Sequence, residues 1–219
     1  RGALARLVHE RGLAARLASV LEVLYLVFNE GYASTSGEDW TRADLCEEAL
    51  RLGRVLAEQM PGEAEVHGLV ALMEIQASRL DARRSAMGDP VLLLEQDRTR
   101  WSRLLIDRGL AALERAAALG GDEGPYRLQA EVAACHARAA NAHDTDWTRI
   151  VLLYEALGRI APSPVVELNR AVAVAMATGP ASALRLVDEL ERDGRLAGYP
   201  ALPAVRGELL VRLGRTQEA

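Results

Sequence analysis

In the second half of the chain a proline stands directly behind a glycine or serine three times, at Gly124-Pro125, Ser163-Pro164 and Gly179-Pro180. Proline at the first helical position sacrifices no hydrogen bond and presets the backbone angle, so each pair reads as a helix start. A further start falls at Asp144-Thr145-Asp146, where a side-chain oxygen can accept from free backbone amides. These starts lie about 16 to 22 residues apart, the spacing of short antiparallel helices joined by tight turns. Two helices per roughly 34 to 40 residues is the period of tetratricopeptide-type repeats.

The remainder of the sequence agrees. Alanine, leucine, arginine and glutamate dominate, all good helix formers, and strand signals are nearly absent. A first helix is expected over Leu4–Tyr32, with Leu13, Leu17, Val20, Leu21, Leu24 and Phe28 along one face and Gly31 placed to end it. A second should start after Trp40-Thr41, carry Leu45, Ala49, Leu52, Val55 and Leu56 inward, and stop near Met60-Pro61-Gly62. A third follows over Glu63–Ala82. The stretch from Asp81 to Gln96 contains Gly88-Asp89-Pro90 and reads as the longest loop. A long helix is expected over Asp97–Leu119, burying Ile106, Leu110, Leu113 and Ala117 and ending at Gly120-Gly121. Trp147 and Tyr154, with Ala171 and Ala175 downstream, repeat the aromatic and small positions of a tetratricopeptide unit, and Pro180–Asp193 with Pro200–Arg215 would close the stack. At 219 residues the chain can bury a substantial core. The expected fold is all-α, with antiparallel helix pairs stacked as a tetratricopeptide-like right-handed solenoid. Residues 1–18 are read as a linker helix and 19–219 as the helical domain.

Charge and reactive residues narrow the function. All 26 basic residues are arginine, which removes lysine Schiff-base chemistry and the lysine of a phosphate-binding loop. The net charge of −5 opposes the basic surface that a duplex binder needs, so no direct nucleic-acid binding by this segment is expected. Cys46 and Cys135 form neither a disulfide framework nor a CxxC pair and suit a reducing compartment. No apolar run approaches the roughly 18 residues needed to cross a bilayer, and no secretory signal is visible, so a cytoplasmic, membrane-free location is expected.

No catalytic constellation emerges. Ser34, Thr35 and Ser36 beside Gly37 suit a polar turn. Cys135 and His136 are adjacent on a helix and point about 100 degrees apart, while His136 and His143 lack a further ligand, so neither a metal nor a cofactor is expected, and no enzyme activity. The polar cluster Asp81, Arg83, Arg84, Asp97, Arg98, Arg100 and Trp101 brackets the irregular loop. Its ends could meet and expose an arginine–aromatic patch able to hold a carboxylate or a peptide, or they could form internal salt bridges tying the loop down. Asn29, Glu30 and Tyr32 end an otherwise apolar helix and raise the same question. Asn29, Glu30, Tyr32, Asp81, Arg83, Arg84, Asp97, Arg98 and Trp101 therefore make up the candidate interaction patch. A small-molecule pocket near Tyr32 and Asp81–Trp101 is the alternative use of the same residues.

Several phrases, in order, resemble one family. They are LYLVFNEGYASTSG (24–37), GLVALMEIQASRLDARR (68–84), LLEQDRTRWSRLLIDRGLAALERA (93–116), GPYRLQAEVAACHA (124–137), DTDWTRIVLLYEAL (144–157) and SPVVELNRAVAVAMATGP (163–180). Together they resemble the tetratricopeptide-like C-terminal extension of extracytoplasmic-function sigma factors, in the group associated with DGPF-type (YCII-related) proteins. The resemblance implies a parent chain with two upstream regions, sigma regions 2 and 4, which bind promoter DNA and RNA polymerase and are absent from this chain. It also implies that the extension governs sigma activity during transcription initiation. Expected partners are the promoter-binding regions of the parent, RNA polymerase and a DGPF/YCII-related protein.

Overall fold

The computed structural model describes residues 2–33, 40–85, 87–120 and 124–218, with side-chain surroundings given for 14–32, 44–85, 87–120 and 124–218. The described residues form nine α-helices, several 3-10 turns and no strand beyond one isolated bridge between Arg84 and Pro90. Consecutive helices pack against each other within each of two compact units, Arg1–Asp122 and Glu123–Ala219, an arrangement compatible with a helical solenoid. None of the described helices is long and apolar enough to cross a membrane.

The first unit contains α1 (Gly2–Ala33), α2 (Trp40–Gln59), α3 (Ala64–Ala77) and α4 (Arg103–Ala118). Between α3 and α4 run three 3-10 turns, at Leu80–Arg83, Leu93–Glu95 and Arg98–Arg100. α3 is the central element: α1, α2 and α4 all pack on it. Its residues Val66 to Ile75 are buried without interruption, as expected of a helix surrounded by others rather than lying on a surface. Leu21, Leu24 and Phe28 of α1 and Cys46, Ala49 and Leu50 of α2 close the core around it.

Four sequence expectations are corrected here. Gly31 does not end α1, which continues to Ala33. Val20 on α1, and Leu52 and Val55 on α2, are exposed instead of buried. On α2 the inward positions are Cys46, Ala49, Leu50 and Gly53, because the backbone at Gly53 comes up against the Met73 and Val70 side chains of α3. The helix expected from Asp97 begins only at Arg103, where Ser102 caps it by accepting from the Leu105 amide at 3.4 Å. Its buried positions are Ile106, Gly109, Leu113 and Ala116, so the inward stripe is rotated away from Leu110 and Ala117. The cause is Gly109, at which an added Cβ would stand 2.5 Å from Ile75 Cγ1 and 3.1 Å from the Ala71 carbonyl oxygen. α3 lies so close there that a side chain would force the two helices apart.

α1 is continuous through residue 18, the expected end of the linker helix, and the chain divides by contacts between Asp122 and Glu123. Ser34, Thr35, Ser36, Gly37 and Gly121 lie outside the described residues.

The second unit contains α5 (Pro125–Arg138), α6 (Trp147–Ile160), α7 (Pro164–Ala177), α8 (Pro180–Asp193) and α9 (Ala201–Arg212). Each packs on its successor, and α7 also reaches α9. The three expected proline starts stand at the first helical positions of α5, α7 and α8. Asp146 caps α6 by accepting from the Arg149 amide at 2.8 Å, and Ser163 caps α7 by accepting from Val165. Leu128, Ile150, Leu153 and Leu157 fill one core, and Leu168, Leu184, Val187 and Leu210 another. Ala171 and Ala175 are buried in the latter, the small positions that let α7 and its neighbours close up.

Candidate functional site

The loop between α3 and α4 is ordered by its own backbone. Ser85 donates to the Asp89 carbonyl at 2.9 Å, Val91 donates to the Arg83 carbonyl at 2.8 Å, and the Ser85 hydroxyl accepts from the Met87 and Asp89 amides. Gly88 takes a positive φ of 90 degrees, which an L side chain would strain. Ser102 donates to the Ser78 carbonyl at 2.9 Å, so the far end of the loop returns to the end of α3. Trp101 is thereby carried inward and left 4% exposed.

Around Trp101 the first unit gathers an arginine–aromatic cluster. The Arg98 guanidinium lies 5.0 Å from the Trp101 ring centroid and that of Arg79 lies 5.7 Å from it. Arg79 also donates to the Tyr32 hydroxyl at 2.8 Å. Arg83 sits over the Tyr32 ring at 3.8 Å and donates to the Tyr32 main-chain carbonyl at 2.8 Å, supplying a donor to one of the carbonyls left open in the last turn of α1. Tyr32 stacks on the fully buried Phe28, which in turn stacks on Tyr25. Gln76 donates to the Tyr25 hydroxyl at 3.5 Å.

Arg83 lies on Tyr32 and Arg98 on Trp101, and Arg79 joins the two pairs. The ties are arginine to carbonyl and arginine to ring. Arg100 holds the loop by donating to the main-chain carbonyls of Arg84, at 3.1 Å, and Asp81. Asp97 is turned to its own 3-10 turn, where its carboxylate accepts from the Thr99 amide and hydroxyl, and these bonds hold it below the usual carboxylate range. The side chains of Asp81 and Glu30 are exposed, and Asn29 hydrogen-bonds Tyr25. Arg84 is half-buried and enters the cluster through its carbonyl.

Two central residues escaped the sequence reading, Gln76 and Arg79. Both stand on or just beyond the last turn of α3, and Arg79 precedes Arg83 by four residues. That spacing was the available signal, masked because the apolar run of α3 draws the eye past it. Burial holds the Arg79 guanidinium below the ordinary arginine range, and the neighbouring Arg83 charge adds to this against the pull of Tyr32. Among the described residues no ion pair involves Arg79 or Arg83. The side chain retains some exposure, but its Nε is shielded from solvent and has no hydrogen-bond partner.

The two cysteines stay apart from this chemistry. Burial pushes the Cys46 thiol up to about 11, and it donates to the Phe28 carbonyl at 3.3 Å. Burial also raises Cys135, with Asp146 and Glu131 adding to it. Thiols so raised are poor nucleophiles at neutral pH.

These elements define an all-helical protein whose first unit carries an arginine–aromatic cluster where α1, the end of α3 and the following turns meet. Residues 16–117, which include that cluster, match the model of a family of unknown function, DUF6596. An uncharacterized protein of Rhizobium meliloti (strain 1021) is 50% identical over 206 residues, covering 94% of this chain and 48% of that protein. The chain therefore spans about half the length of the curated relative it matches. No solved structure matches the chain.

Proposed function

We propose that this chain is a regulatory, protein-interaction domain acting in transcription initiation, the C-terminal extension of an extracytoplasmic-function sigma factor. Its partners are the promoter-binding regions of the parent, with RNA polymerase and a DGPF/YCII-related protein as further contacts. The observation that carries the reading is the partly exposed Arg83 and Arg98, held on the Tyr32 and Trp101 rings of one cluster on a helical scaffold, since arginine is a usual anchor of protein interfaces. The resemblance across six phrases in order supplies the biological process. The rhizobial relative extends well beyond the aligned part, which agrees with a parent carrying sigma regions 2 and 4. The acidic net charge supports leaving promoter contact to those regions.

The test is a calorimetric titration of this chain against the promoter-binding regions, with Arg98→Glu and Arg84→Glu as a double variant. Arg83 is left intact because it holds the end of α1. Binding weakened at least tenfold in the double variant supports the reading. No binding by the wild type, together with unchanged transcription when the domain is deleted from the parent, refutes it. A small-molecule-sensing domain is the second reading, favoured by the unpartnered polar atoms beside Tyr32 and Trp101.

A further inference from the structure

Three neighbouring polar side chains at the end of α3 lack partners on one side. Trp101 is 4% exposed, yet its indole Nε1–H donates to nothing. Arg79 Nε is shielded and equally unpartnered, on a guanidinium 5.7 Å from the same ring. Gln76 uses one amide atom on Tyr25 and leaves the other, Oε1, without a partner. A tyrosine hydroxyl can donate or accept, so turning the amide over would keep the Tyr25 bond and present Nε2–H instead. A buried polar atom without a partner is costly, so three of them on residues packed at one helix end call for an explanation.

The electrostatics point the same way. Arg79 and Arg83 feel each other as like charges, and among the described residues no ion pair neutralises either. Their partners are the Tyr32 hydroxyl, the Tyr32 carbonyl and aromatic faces. A buried charge ordinarily has an opposite charge beside it, as the buried Glu74 carboxylate has Arg54 at 2.7 Å elsewhere in this unit. Here the positive charge and the donors are in place and the anion is not supplied by the described residues.

We propose that Arg79, Trp101 and Gln76 form a binding site for a carboxylate, whose two oxygens accept from Arg79 Nε–H and Trp101 Nε1–H while Gln76 contacts the same group. A singly charged, planar carboxylate can offer one oxygen to each of these two donors, whereas a phosphate dianion would carry a greater desolvation penalty into a site this enclosed. The carboxylate comes either from a small organic acid or from an acidic side chain of a bound protein. The site stands whether or not the domain regulates a sigma factor, because its test needs no partner.

The indole Nε1–H of Trp101 reports directly in a proton–nitrogen correlation spectrum of the 15N-labelled chain, and only three tryptophans compete for assignment. Sodium acetate is titrated at ionic strength held constant with sodium chloride. The expected result is a saturable shift of the Trp101 indole peak, with apparent Kd weakened at least tenfold in Arg79→Lys, which keeps the charge and loses the Nε–H donor. Gln76→Leu serves as the second variant if Arg79→Lys loses its dispersed spectrum, and a weakening of at least threefold is expected. The acidic peptide Ac-Asp-Glu-Asp-Glu-NH2 distinguishes the sources: tighter binding than acetate assigns the site to a protein carboxylate, and no peptide effect beside a clear acetate effect assigns it to a small acid. An indole peak that acetate moves no more than chloride does overturns the proposal. So does unchanged affinity in a folded variant, or a saturable response to inorganic phosphate with none to acetate.

Discussion

Replacing Gly109 by alanine inserts one methyl group where α4 crosses α3. Helix propensity alone favours the change by about 1 kcal/mol, since glycine in a helix interior is the poorer residue. Packing opposes it. The new Cβ would lie 2.5 Å from Ile75 Cγ1, 3.1 Å from the Ala71 carbonyl oxygen and 3.2 Å from Glu74 Cβ. Two of these are backbone or the first side-chain atom, and Ile75 Cγ1 belongs to a side chain only 1% exposed, so none can swing aside. The helices must separate along their contact, and overpacking of this kind costs typically about 1–3 kcal/mol, occasionally more. Gly109→Ala is therefore expected to destabilise the first unit by up to about 2 kcal/mol net, where open space would have made the same change stabilising. Gly207→Ala is the internal control, because the same substitution inside α9 meets nothing within 4 Å and should stabilise by about 0.5–1 kcal/mol. Urea unfolding followed by circular dichroism reads both. The two units need not unfold together, so the transitions are fitted separately. A Gly109→Ala chain stabilised as much as Gly207→Ala would refute the close approach of α3 and α4 and, with it, the account of why α4 presents Leu113 and Ala116 inward.

Other outcomes follow from caps and burial. Ser102→Ala removes the acceptor for the Leu105 amide and should lower stability by about 1 kcal/mol in the same urea assay, while no change would show that α4 needs no cap there. Because the folded state holds the Cys46 proton more tightly than the ordinary 9.0 allows, the stability it confers is present below pH 9 and lost as pH rises toward 11. Wild type should thus lose more stability between pH 8.5 and 10.5 than Cys46→Ala does, and equal losses would remove the thiol as the cause.

Local chemistry made much of the fold legible. Proline behind glycine or serine marks a helix start whatever the tertiary context, because it acts through the backbone of its own turn, and α5, α7 and α8 begin where those pairs stand. Asp146 and Ser163 act within three residues and were equally readable. The inward faces of α2 and α4 were not. Leucine and valine spacing proposed Leu52, Val55 and Leu110, whereas glycine approaches at Gly53 and Gly109 turned those helices onto other residues. A glycine carries no periodic signal, so only the neighbouring backbone reveals that it is a contact. The cluster divides along the same line. Its arginines and Trp101 were visible as types bracketing a loop, but partners such as the Tyr32 carbonyl and the carbonyls of Asp81 and Arg84 are main-chain atoms that every residue possesses. Gln76 and Arg79 belong to a helix end whose significance depends on α1 lying across it, roughly fifty residues earlier in the chain. Sequence determined the elements and their order through interactions within one turn of chain; which faces met, and which polar atoms were left wanting a partner, was decided by contacts between residues far apart in sequence.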